Sequence, residues 1–221
     1  MGLSLCVGIL SDLAEDSEGL ADFRRQFDKV NRTLKQAGLP PHAEPAKLPS
    51  GSWSCDLAGY SALHALRRIA AWLWAGKGLP PAPVADADKD PLVERYLETV
   101  GRNAPRRPTG TQFRFDHLML HSDSEGFYVP IEFPNVLFAS RAAGLAGGLI
   151  GSSAMLKNEC EVLAGALALP LDLDPASEEV VTAADSGGPG WRLYGQEAHS
   201  CLALHKAAEV SLKTGAAIVF T

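Results

Sequence analysis

The sequence lacks any close pair of cysteines. Cys6, Cys55, Cys160 and Cys201 lie so far apart that neither a C-x-x-C redox motif nor a zinc knuckle can be drawn. They are expected to be reduced, mostly buried thiols. A membrane-length apolar run is also missing. The opening MGLSLCVGIL has no basic flank and passes directly into Asp12, Glu15, Asp16 and Glu18, which suits neither a secretory signal nor a span. Cytoplasmic residence without a membrane partner is the expectation. Gly2 does not complete a myristoylation motif, because Cys6 stands where Ser or Thr is required.

Basic excess is absent as well. A net charge of −6 argues against direct contact with a phosphate backbone, which needs cations to displace counterions, so nucleic acid is not an expected partner. Arg102, Arg106, Arg107 and Arg114 gather locally and read as a solvated loop. With 46% hydrophobic and 21% charged residues, the composition is that of an ordinary globular chain.

Apolar spacing predicts helices over about 20–37, 60–76, 91–100, 153–169 and 196–213, with a shorter one from Asp174 and Pro175 to Ala184. Strands are expected at 3–10, as a hairpin of 112–121 with 127–133, and at the closing AAIVF. The Pro-rich and Ser-rich stretches at about 40–56, 77–90 and 102–111 read as surface loops. Because helix outweighs strand and the two do not alternate regularly, the expected fold is α+β. It is a mostly helical single domain, residues 1–221, with a small antiparallel sheet that includes the central hairpin.

Polar chemistry concentrates in QFRFDHLMLHSDSEGFYVPIEF, residues 112–133. If Phe113, Phe115, His117, Met119 and His121 alternate on one strand face, His117 and His121 stand about 13 Å apart and cannot share a metal ion unless the strand bends, whereas a helical reading would bring the pair together as in H-x-x-x-H zinc sites. The strand reading is preferred for its aromatic alternation, and no metal and no cofactor is assigned. At the tip, His121 with Asp123 or Glu125 could form an imidazole and carboxylate pair able to move a proton. An Asx-type turn closed by Gly126 explains the same residues and is preferred.

Several partial motifs stop short. Ala146, Gly148 and Gly151 approach a dinucleotide fingerprint but fail at its first glycine, and Ser152 and Ser153 occupy the place of a P-loop lysine. Those serines also read as plain helix caps, or as donors near an anion. Asp86, Asp88 and Asp90 mimic a calcium loop, yet Pro91 and Leu97 fall where Gly and Glu are needed. Cys201 and His205 are one helical turn apart without a third group, and His64 with Arg67 and Arg68 reads as a hydrogen-bonded core cluster.

The segments MGLSLCVGILSDL, HSDSEGFYVPIEF, GGLIGSS and GAAIVF together resemble a group of uncharacterised soluble bacterial proteins. That resemblance implies a single-domain bacterial cytoplasmic protein and transfers no activity, cofactor or catalytic residue.

Two functions remain open at this point. The first is a non-enzymatic, immunity-type protein that uses acidic patches at 12–18, 86–90 and 172–179 to hold a basic protein such as a bacterial toxin. The second is a hydrolase-like enzyme with catalytic His121, Asp123 and Glu125, and with His64, Arg67, Ser152 and Ser153 as binding residues.

Overall fold

The computed structural model describes residues 3–57, 59–103 and 115–221. The strands are β1 (Leu3–Val7), β2 (Trp53–Leu57), β3 (Phe127–Val129), β4 (Leu137–Phe138), β5 (Leu149–Ser152) and β6 (Ile218–Phe220). The helices among the described residues are α1 (Ile9–Asp12), α2 (Ser17–Gln36), α3 (Tyr60–Trp74), α4 (Pro91–Asn103), α5 (Asp116–Met119), α6 (Ser153–Leu167), α7 (Glu178–Ser186) and α8 (Gly195–Thr214). The α+β class holds, with helix dominant around one small sheet.

That sheet runs in the order β2-β1-β6-β3-β5-β4. It is mixed, because β3 and β5 are parallel while the other pairs are antiparallel. The expected purely antiparallel arrangement is corrected accordingly. β6 sits between β1 and β3, with Cys6 opposite Val219 and Phe127 opposite the same residue from the other side.

Strand alternation decides which residues face which layer. Leu3, Leu5 and Val7 of β1, Tyr128 of β3, and Ile218 and Phe220 of β6 pack with α3, α6 and α8. Cys6, Phe127, Val129, Ile150 and Val219 turn the other way, onto Phe27, Val30 and Leu34 of α2. The sheet is thus a middle layer. α2 begins at the Asp16 cap, whose carboxylate accepts from the amides of Glu18 and Gly19.

The central hairpin does not form. Residues 112–114 lie outside the described residues, and Asp116–Met119 is a helical turn whose neighbour β3 pairs with β5 and β6 instead. Buried polar partners override the two-residue alternation. The Glu159 carboxylate of α6 accepts from the amides of His117 and Leu118 at 3.0 and 2.7 Å, two donors that a helix start leaves free. Phe115, Leu118 and Met119 then enter the core together at helical spacing.

Other expectations shift. The loop expected at 40–56 contains β2 and the buried His42 and Leu48, and the stretch 77–90 includes a short 3-10 turn at Ala87–Lys89. Of the loop expected at 102–111, residues 102 and 103 close α4 and the remainder lies outside the described residues. The glycine-rich segment before α6 forms β5, where Gly151 is required because a Cβ there would overlap the Tyr128 ring.

Candidate functional site

α3 places His64 and Arg67 one turn apart, facing the segment that leads from α5 to β3. Arg67 donates from Nε to the Leu118 carbonyl at 2.9 Å and from Nη2 to the His121 carbonyl at 2.6 Å. Its Nη1 pairs with Asp123, whose second oxygen meets His64 Nε2 at 2.8 Å. Burial pushes the Asp123 carboxyl up, but the Arg67 charge and the bonds from His64 and Arg67 outweigh it and hold the group below its usual range. Arg67 is buried, while Asp123 remains 41% exposed on its side chain. This is a clamp that fixes the 118–123 backbone.

His121 does not belong to that group. Its ring is buried between Tyr128 and Phe220, at centroid distances of 4.0 and 5.0 Å, and Gly126 leaves no room for a Cβ on another side. Nδ1 faces the Ser122 carbonyl at 3.0 Å. Burial, aided by the Arg67 charge and opposed by the bond to Ser122, drives its pKa from 6.5 to about 3. Glu125 points elsewhere and accepts from the Gly147 amide at 3.1 Å. The proton-moving pair of His121 with Asp123 or Glu125 is therefore not assembled, because each of the three has other partners.

His117 lies in a helical turn, so the strand spacing expected to separate it from His121 does not apply. Its Nδ1 accepts from the Ser152 amide at 2.9 Å. Among the described residues no three His, Cys, Asp or Glu side chains converge as a metal set. Asp90, last of the calcium-like trio, instead accepts from Arg68 at 2.7 Å and Trp72 at 2.9 Å.

Ser152 and Ser153 are buried structural groups. Ser152 caps α6 through the Met155 amide, and Ser153 meets the Ser211 hydroxyl at 2.8 Å. They do not reach His121 or Asp123. Cys201 donates to the Cys160 carbonyl at 3.4 Å rather than to His205.

A cleft of about 440 Å³ lies between α2 and the Glu125–Phe127 segment, floored by Phe23 and Phe220. Neither His64, Arg67, Asp123 nor His121 lines it. The conspicuous surface feature is elsewhere. Exposed Asp172, Asp174, Glu178, Glu179 and Asp185 follow one another along the approach to α7 and on α7 itself. Asp56 on the edge strand β2 extends this acidic arm: burial raises the Cys55 thiol to about 11, and the charges of Asp56 and Asp174 both add to that rise. Part of this arm was visible in the sequence as the acidic run 172–179; the contribution of β2 was hidden inside an expected loop.

A family model described as "Putative DNA-mimic protein" matches residues 1–220. No curated protein and no solved structure matches the chain.

Proposed function

Because the chain belongs to this DNA-mimic protein family, matched from residue 1 to 220, we propose that it occupies the nucleic-acid-binding surface of a DNA-binding protein, with carboxylates standing in for phosphates. The family match corrects the expected partner: a bacterial toxin held by an immunity-type protein is set aside. The expectation of no link to nucleic acid is corrected with it, since a DNA mimic engages proteins that bind DNA. A negative surface does repel DNA, but it is also what a protein needs in order to resemble DNA.

Charge density limits the resemblance to a patch. A duplex carries one negative charge per roughly 1.7 Å of axis, so a net charge of −6 equals roughly 10 Å of DNA. Only a local concentration of carboxylates can compete.

The observation that carries the proposal is one stretch of chain. From Asn158 to Trp191 there are seven acidic side chains, Glu159, Glu161, Asp172, Asp174, Glu178, Glu179 and Asp185, and no Lys, Arg or His. Five of the seven are exposed. α2, by contrast, interleaves its acids with Arg24, Arg25, Lys29, Arg32 and Lys35. The acidic arm is anchored to the helical layer, since α7 packs along α8 and Arg192 pairs with Glu179. A preorganised row of charge raises the encounter rate with a basic surface and avoids the ordering cost of a flexible tail.

The test is competition. Proteins retained from cells on the immobilised chain should be DNA-binding proteins, and an excess of duplex DNA should release them. Replacing Asp172, Asp174, Glu178 and Glu179 by their amides should weaken retention at least tenfold. Retained proteins with no affinity for DNA, or retention unaffected by the duplex, would overturn the proposal.

A further inference from the structure

The acidic arm borders a cleft of about 600 Å³ between the Leu171–Asp174 segment and α8, within the roughly 300–1,000 Å³ typical of sites that enclose a small group. Leu171, Leu173 and Leu202 supply apolar walls, and Asp172 and Asp174 lie along it. His205 also lines the cleft, only 5% exposed. Its Nε2 is buried with no hydrogen-bond partner, and the nearest carboxylate oxygen, on Glu161, is 3.8 Å away.

We infer that this cleft seats one arginine side chain of the DNA-binding partner. The proposal rests on the DNA-mimic reading and names the contact that reading lacks. An arginine has an apolar three-carbon stem and a flat cationic head, and the cleft offers apolar walls to the first and carboxylates to the second. Burial lowers the His205 pKa, so the imidazole in the cleft wall adds no positive charge to oppose the incoming one. Asp172 has no ion pair or side-chain hydrogen bond among the described residues, and Asp174 uses one oxygen to cap the Ala176 amide at 2.9 Å. A phosphate backbone presents charge without apolar walls, so this seat would let the protein hold an arginine more tightly than DNA does.

Lys206 also lines the cleft and lies 3.7 Å from Glu209. It is an internal cation that competes with the incoming one, and its removal should favour binding.

The test is a titration of the isotopically labelled full chain with Nα-acetyl-arginine methylamide, followed by amide shifts. The norleucine analogue and guanidinium ion serve as stem-only and head-only probes. Saturable shifts are expected at residues 171–174 and 202–209, larger for the arginine amide than for either control. The paired change Asp172→Asn and Asp174→Asn should weaken binding at least fivefold, with the Ala176 cap retained by the Asn oxygen. Lys206→Gln should strengthen it about twofold. Shifts spread equally over residues 12–18 and 86–88, or no advantage of arginine over guanidinium, would overturn the cleft as the seat. That result would leave the DNA-mimic reading standing, since that reading falls only if duplex DNA fails to release the retained partners.

Discussion

Arg67 holds the His121 carbonyl at 2.6 Å without touching its imidazole. The guanidinium reaches the backbone from one side, and the ring turns away to lie over Tyr128. One residue therefore sets where the chain leaves α5, and the next ring plane follows from packing.

Arg67→Met should destabilise the fold by about 3 kcal/mol in urea denaturation, because it strands the Leu118 and His121 carbonyls and the Asp123 carboxylate. Arg67→Lys should recover little, since an ammonium cannot reproduce the fork. His64→Ala, at a partly exposed contact, should cost under about 1 kcal/mol. Equal losses for Arg67→Met and His64→Ala would mean that Arg67 is not the centre of the clamp.

Acid should unfold the protein through its buried histidines. The unfolded chain takes up a proton near pH 6.5, whereas folded His121 resists until about pH 3. Stability is then fully present above pH 6.5 and declines toward pH 3, by about 1.4 kcal/mol per pH unit for this group. His199 and His205, also lowered by burial, add to the slope. His121→Phe should keep the ring stack and flatten the decline between pH 6.5 and 5, measured as urea midpoints. An unchanged slope would show that His121 titrates normally.

Gly195 is a contact point between helices. A Cβ there would overlap the Ala183 carbonyl, where the backbone of α7 meets the start of α8. Gly195→Ala should cost about 2 kcal/mol and loosen the acidic arm, seen as faster amide exchange in α7. Gly165→Ala meets no neighbour within 4 Å inside α6 and should instead stabilise by up to about 1 kcal/mol. Thermal melts of the two variants should move in opposite directions.

Glu44 ties the loop after α2 to the sheet. Its Oε2 meets His42 Nε2 at 2.6 Å and the Ala217 amide at 2.8 Å, and both side chains are nearly inaccessible. Glu44→Ala should cost about 2–3 kcal/mol by leaving a buried donor and imidazole without their acceptor. Exchange of the Ala217 amide should accelerate in step, and Glu44→Gln should lose less. A loss confined to the loop, with Ala217 still protected, would refute the tie.

The helices were readable where one apolar face repeats at helical spacing, as with Phe23, Phe27, Val30 and Leu34 in α2. β2 was not, because Trp53–Leu57 is short and embedded in a Pro-rich and Ser-rich stretch, and it takes its strand form from pairing with β1. FRFDHLMLH alternates locally and so predicts a strand where α5 forms; its actual form depends on Glu159 and Arg67, which are distant in sequence. Of the candidate site, the residue types near 64, 67 and 123 could be picked out, but not that His121 would be enclosed by Phe220 from the far end of the chain. The acidic run 172–179 is legible in the sequence, whereas Asp185 and Asp56 join it only in the fold, and its cleft needs α8 to close it.

β6 has a structural role out of proportion to its three residues. Among the described residues it alone joins the β2-β1 pair to the β3-β5-β4 group, so without it those two pieces share no ladder there. A chain ending at Gly215 would therefore be a split scaffold, and a synthetic hexapeptide spanning 216–221 could complete it in trans as a donated strand.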